Sequence, residues 1–166
     1  MENNMTPIQL CTSDADRAAP LLADFRTALA SYRGIVRVPD PDAAKAEFLD
    51  FAASGYPMYG VEYQGQLIGY LICRIEEPCL WVEQLYVQNE YRRMGAATLL
   101  FDKAEELSRA MGEETVFNFV HPNNEGVIRF LRSKGYTVLN MIEIRKPYRG
   151  EIPKTQIQVG QNLFDY

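Results

Sequence analysis

The sequence holds one histidine, His121, and three cysteines, Cys11, Cys73 and Cys79, among its 166 residues. No CxxC pair and no Cys/His cluster occurs, so a structural zinc site has no ligand set and no metal is expected. Three is an odd count and each cysteine lies in an apolar stretch, which reads as reduced, mostly buried thiols rather than a disulfide framework. No block of lysine and arginine is present and the net charge is −5, which argues against a nucleic-acid partner, since a phosphate backbone demands a basic face. No apolar run approaches the roughly 20 residues that a membrane span needs. The first ten residues lack a basic stretch followed by an apolar one, so a cytoplasmic location without membrane association is expected. Repeats, linkers and low-complexity segments are also missing, and the length suits a single domain over residues 1–166.

What is present is a series of periodic segments. Residues 8–12 can form a short strand, and Ser13 followed three residues later by Asp16 has the pattern of a capping box. The helix expected next places Leu21, Leu22, Phe25, Leu29 and Tyr32 on one face and stops at Gly34. Asp40-Pro41 supplies a cap and a first-turn proline for a second helix, with Ala44, Phe48, Phe51 and Ala52 as its apolar face. Strands over 58–63 and 67–75 flank a Gln64-Gly65-Gln66 turn, and a third strand covers 79–87. A long helix spans about 95–111, with Gly112 beyond it. A strand at 115–120, a short helix at about 124–134 and a strand at 136–145 complete the series. Hairpins first and two right-handed βα crossovers after them imply an α/β domain: a mixed central sheet with helices on both faces. The tail after 156, with Ile157 and Val159, reads as a last strand or small hairpin that pairs with the sheet or with a second subunit, which makes a homodimer a candidate assembly.

The chemistry-bearing stretch runs from Trp81-Val82-Glu83-Gln84-Leu85-Tyr86-Val87 to Arg92-Arg93-Met94-Gly95-Ala96-Ala97. A strand feeds a turn, and a helix starts near Gly95. Its first turn has N–H groups without helical partners and a partial positive charge. Small residues at 95, 96 and 97 let a ligand reach that backbone, and Arg92 and Arg93 flank the entry, which is a cradle for a pyrophosphate. The bland alternative is a tight strand-to-helix turn that needs small residues for packing. The stretch is neither a Walker loop, since no Gly-Lys-Ser/Thr follows, nor a three-glycine dinucleotide fingerprint.

Here the chain resembles the GNAT superfamily of N-acetyltransferases. Arg92 to Ala97 fits that family's Q/R-x-x-G-x-G/A signature, the preceding strand resembles its Glu83-to-Val87 pattern, and Asn124 followed by Phe130, Leu131, Gly135 and Tyr136 resembles its next helix. The resemblance implies the GNAT fold and acetyl-CoA as co-substrate. It implies pantetheine bonding by the backbone of Leu85, Tyr86 and Val87, and pyrophosphate binding by Arg92, Arg93, Met94, Gly95, Ala96, Ala97 and Thr98. It places Asn124 near the pantetheine or thioester, a slot between Val87 and Phe119, and an acceptor pocket at 32–37 that brings in Tyr32 and Arg33. The expected acceptor is an amine, on a small molecule or a protein.

Glu83 is the candidate base. Simple alternation puts it on the face of Trp81, Leu85 and Val87, where a carboxylate needs a partner or a function. A lysine-like amine titrates near about 10.4, so the acceptor must lose a proton, and Glu83 can take it directly or through a water. The alternatives are a solvated glutamate or one paired with an arginine such as Arg74. The family's usual tyrosine acid falls on Leu131, which cannot donate a proton; Tyr86 is the substitute candidate, with packing against a helix as its other reading. His121 has capping as its default role and base catalysis as its alternative. A CoA-binding sensor or partner subunit without catalysis is the rival function, and a scaffold that has lost CoA is a third. Glu83 speaks against the rival, and the intact 92–97 loop against the third.

Overall fold

The computed structural model describes residues 5–150, 152–153 and 155–166. It forms two units, 1–119 and 120–166. In the first, strands β1 (Thr6–Gln9), β2 (Met58–Tyr63), β3 (Gln66–Glu76), β4 (Cys79–Val87) and β5 (Phe117–Asn118) make one sheet in that order. The first four run antiparallel, and β4 pairs β5 in parallel. The β2–β3 hairpin closes on Gln64 and Gly65, both at positive φ (50° and 78°), the two-residue geometry that matches strand twist.

Helix α1 (Ala15–Tyr32) and α2 (Pro41–Ala53) cover one sheet face. Asp40 caps α2 by accepting from the Ala43 N–H at 3.0 Å, as its Asp-Pro start predicts. The capping box expected at Ser13–Asp16 sits two residues earlier. Asp14 accepts from the Cys11 N–H at 2.9 Å, while Asp16 takes Lys45 of α2 at 2.6 Å. Between helices and sheet, Leu21, Leu22, Phe48, Tyr70 and Ile72 are buried, each apolar side chain contributing roughly 1.5–3 kcal/mol against exposure. Helix α3 (Ala96–Ala110) lies on the other face, where Leu100 approaches Gly69 of β3 and Val87 of β4.

Gly69 of β3 has no room for a side chain. A Cβ there would meet the Tyr86 carbonyl oxygen at 2.8 Å and a Val87 methyl at 3.0 Å. Gly69→Ala should therefore destabilise by about 1–3 kcal/mol, a melting temperature lower by roughly 2–12 °C, read by thermal denaturation. An unchanged melt would mean that β4 yields at no cost.

Two strand expectations need correction. The run at 115–120 forms ladder bonds only at Phe117–Asn118. Residues 136–145 form no strand, so one βα crossover, β4–α3–β5, is present among the described residues rather than two. The second unit contains α4 (Glu125–Ser133) and a hairpin of β6 (Gln156–Val159) and β7 (Asn162–Asp165), which pair with each other. No described helix is long and apolar enough to cross a membrane, and no group of three or more potential metal ligands occurs among the described residues.

Of the thiols, Cys11 is exposed and Cys73 buried. Burial pushes the Cys73 thiol up to about 12. A thiol reagent at pH 8 should titrate Cys11 in the native protein and Cys73 only after denaturation, because the thiolate is the reactive form. Fast native labelling of Cys73, read by peptide mass, would contradict its placement.

Candidate active site

The site is built on β4, and its decisive feature is a bulge. Ile72 of β3 pairs with Gln84, but the next residue, Cys73, pairs with Val82, so Glu83 is an extra residue with no partner opposite. Cross-strand partners share a face. Gln84 and Tyr86 therefore lie with Ile72 and Tyr70 under α1 and α2, and Trp81 lies on that face with Arg74. Leu85 and Val87 lie with Leu71 and Gly69 toward α3. Simple alternation thus fails at Glu83. It shares the Trp81 face as expected, through a 3.1 Å bond from Arg74 Nε, but not the face of Leu85 and Val87.

Arg74 also pairs with Glu76 and lies 5.7 Å over the Trp81 ring. Trp81 stacks on Phe119 (4.6 Å, 12°), which is 63% exposed, and the Trp81 indole N–H is buried with no acceptor among the described residues. Beside Glu83, Gln84 is only 3% exposed and hydrogen-bonded at both its oxygen and its nitrogen. Its oxygen accepts from Tyr70 Oη at 2.7 Å and its nitrogen donates to Glu47 Oε1 at 2.8 Å. Glu47 is gripped by two nitrogens of Arg26, one at 3.0 Å. Burial lowers the Arg26 pKa, the charge of Arg37 lowers it further, and Tyr70 and Glu83 oppose both. This Tyr70–Gln84–Glu47–Arg26 chain was not foreseen from sequence. Its signals were a glutamine within an apolar strand and charges beside Phe25 and Phe48 on the helices.

The other edge of β4 pairs with no strand beyond Val82 among the described residues. Its ladder with β5 ends at Val82↔Asn118, while Gln88 N–H still bonds Ile68 on the β3 side at 2.9 Å. Alternation from Gln88 turns the backbone groups of Leu85 and Val87 away from β3. The Val87 carbonyl already accepts from Arg92 Nε at 2.9 Å. The Arg92 guanidinium lies 5.5 Å over the Tyr86 ring, so it folds back on the strand rather than toward the helix start.

Past Arg93, at φ +66°, and Gly95, at φ +99°, helix α3 begins. The first helical bond, Leu99 N–H to Gly95 C=O, leaves Ala96, Ala97 and Thr98 with N–H groups outside the helical ladder. Each of the other three described α-helices has an acidic residue in its first turn, but α3 has none. A Cβ built on Gly95 meets nothing within 4 Å. An uncompensated positive helix end with open space before it fits a pyrophosphate.

Two cavities flank α1. One of about 450 Å³ is bordered by Asp24, Ser31, Tyr32, Tyr86, Glu90 and Arg92. The other, about 200 Å³, lies between α1 and α2. Tyr32 lines the larger cavity, beside Gln88–Arg92, whereas Arg33 is an exposed cap residue that borders neither. Tyr86 packs edge-on against Phe25 at 6.4 Å. Burial raises its pKa first, and Asp24 adds to this while Arg92 opposes it, so the phenol is protonated at neutral pH. In the second unit, Asn124 caps α4 by accepting from the Val127 N–H (3.2 Å), and His121 Nδ1 accepts from the Asn123 N–H (3.1 Å). Leu131 is buried.

Comparison with known proteins matches this arrangement to one family. Residues 22–136 match the Acetyltransferase (GNAT) family, and the chain belongs to it. No curated protein matches. Among solved structures, the chain is similar to the aminoglycoside N-acetyltransferase AAC(6')-Iy in complex with a CoA-bearing bisubstrate analogue. That match has a TM-score of 0.68 at 16% identity, over 87% of this chain and 99% of the other. It is similar to the PaiA N-acetyltransferase of Thermoplasma acidophilum with coenzyme A (0.68, 16%, covering 79% and 88%). It is also similar to a ribosomal-protein-alanine N-acetyltransferase of Brucella melitensis (0.66, 21%, covering 86% and 99%). At these identities the likenesses establish the GNAT fold.

Proposed function

We propose that the chain transfers an acetyl group from acetyl-CoA to a primary amine, by direct attack of the amine in a ternary complex. The bulge in β4 carries this reading. It sets an Arg74-held carboxylate, Glu83, at the point where the β4–β5 ladder ends. The bond from Arg74 is the structural alternative to a base role, and a CoA-binding module without chemistry would keep the carboxylate for that pairing alone, which the pH–rate comparison with Glu83→Gln tests. The solved relatives bound to CoA and to an aminoglycoside-derived analogue support a CoA donor and an amine acceptor.

Acetyl-CoA supplies the activated thioester. The N–H groups of Ala96, Ala97 and Thr98, with Arg93 and Met94 in the loop before them, hold its pyrophosphate. The outward backbone groups of Leu85 and Val87 bond its pantetheine arm, with the Val87 carbonyl shared with Arg92. Glu83 takes the proton of the acceptor amine. Tyr86, whose phenol burial keeps protonated, is the donor candidate for the leaving thiolate, in place of the tyrosine that Leu131 replaces. Positioning and backbone hydrogen bonding then make up most of the rate gain.

The test is a panel of primary amines with acetyl-CoA, reading released thiol. Release above the amine-free background for one class supports the reading. Calorimetric CoA binding with no release for any amine would leave a CoA-binding sensor.

A further inference from the structure

Glu83 is the extra residue of the bulge, so no residue of β3 stands opposite it, and its main chain is fixed through its neighbours. Val82, on one side, has ladder partners on both flanks, Cys73 and Asn118. Gln84, on the other, has one ladder partner among the described residues, Ile72. What Gln84 has in addition is its side chain. A carboxylate only accepts, so the Gln84 nitrogen faces Glu47, at 2.8 Å, and its oxygen is left for the Tyr70 hydroxyl, at 2.7 Å. Tyr70 is fully buried, and burial pushes its phenol well above the ordinary range, so it stays protonated and donates. Both partners are themselves anchored: Tyr70 pairs with Tyr86 across the β3–β4 ladder, and Arg26 holds Glu47. Three elements, α1, α2 and β3, thus converge on one side chain of β4, next to the bulge.

The amide also selects the register. If β4 ran on from the Cys73↔Val82 pair without a bulge, Gln84 would stand opposite Leu71 and turn to the α3 face, away from Tyr70 and Glu47. Leaving a buried amide and a buried hydroxyl without partners is costly, so the bulged register wins. An apolar residue at 84 carries no such preference. The Glu83 carboxylate is held at its tip by Arg74 Nε at 3.1 Å, a guanidinium it shares with Glu76. The Gln84 amide holds the main chain from which that carboxylate extends.

We propose that Gln84 is a positioning residue for Glu83: its amide, clamped between Tyr70 and Glu47, holds the bulge that presents the Glu83 carboxylate to the acceptor amine. This rests on the reading of Glu83 as the base.

The test starts from Gln84→Met, which keeps the bulk and removes the amide. At saturating acetyl-CoA its turnover should fall about 10- to 100-fold, the usual cost of a reacting group displaced by about an ångström. The deficit should shrink as pH rises, as it does when the base itself is lost. Two further variants separate positioning from stability. Tyr70→Phe/Gln84→Met strands no buried hydroxyl, so it should recover most of the melting temperature that Gln84→Met loses, and none of the turnover. Glu83→Gln/Gln84→Met should be little slower than Glu83→Gln alone, because the group being positioned is already gone. The Tyr70→Phe double variant also serves as the test protein if Gln84→Met by itself does not fold. Near-wild-type turnover without the amide, turnover that returns together with the melt, or a full further fall on the Glu83→Gln background would each overturn the inference and leave the base reading standing. Wild-type turnover in Glu83→Gln would remove the base reading, and this inference with it.

Discussion

Gly95→Glu should lower CoA affinity at least about 100-fold, because it removes the two properties that make the start of α3 an anion site. The first is conformational. Gly95 sits at φ +99°, which a residue with a Cβ adopts at a cost of roughly 1–2 kcal/mol. The second is electrostatic. A carboxylate at the N-cap occupies the space that is open before Gly95 and neutralises the one described α-helix start that carries no acid of its own. A negative charge there favours the helix itself, so the protein should lose binding far more than stability. Calorimetry with CoA on both proteins, with melting curves alongside, separates the two. Gly95→Ala should be intermediate, since it adds the strain without the charge. Wild-type affinity in Gly95→Glu would move the pyrophosphate elsewhere and with it the whole donor reading.

The start of α3 was legible because each of its signals is local. Small residues at 95–97, flanking arginines and a strand before them are all read within one short stretch. The Asp40-Pro41 helix start and the β2–β3 hairpin were legible for the same reason. Where reading failed, the missing information was a partner. Residues 115–120 and 136–145 are rich in strand formers, yet a strand exists only where a ladder does, and Val138, Leu139, Met141 and Ile144 remain exposed. The misplaced capping box is a smaller case: the pattern of a hydroxyl three residues before a carboxylate pointed to Ser13 and Asp16, whereas the box that forms joins Cys11 to Asp14, and Asp16 pairs with Lys45.

The catalytic side of the site was half legible for a related reason. Glu83 was identifiable as a carboxylate within an apolar strand, but its face was not, because alternation holds only while the register does. The bulge is a property of how β3 and β4 pair, and no residue in β4 announces it. Its effect is to put Glu83 and Gln84 on the same side, so that a titratable group and its buried neighbour both face the α1–α2 layer. The chain from Tyr70 to Arg26 draws on β3, β4, α2 and α1 in turn. Such a set is assembled only by the fold.

Glu83→Gln is the sharpest test of that placement, with an expected fall in turnover of about 10²–10⁴-fold, the usual worth of a general base. The substitution preserves shape, and the amide oxygen can still accept from Arg74 Nε. Arg74 itself stays anchored by Glu76 and by the Trp81 ring when the Glu83 charge is removed. The melt should therefore barely move. CoA affinity should hold as well, because the α3 start lies beyond the end of β4. The diagnostic feature is pH. If Glu83 removes a proton from the acceptor, its loss matters most where the amine is protonated, and the deficit should shrink as pH rises toward about 10.4, where a lysine-like amine deprotonates unaided. A residue that only positions the acceptor would cost the same at every pH. Rate profiles of both proteins with the best acceptor distinguish the two roles. A mutant rate near wild type across the whole range would remove Glu83 from the mechanism. Tyr86, the phenol two residues beyond Gln84 on the same face of β4, would then be the next group to test.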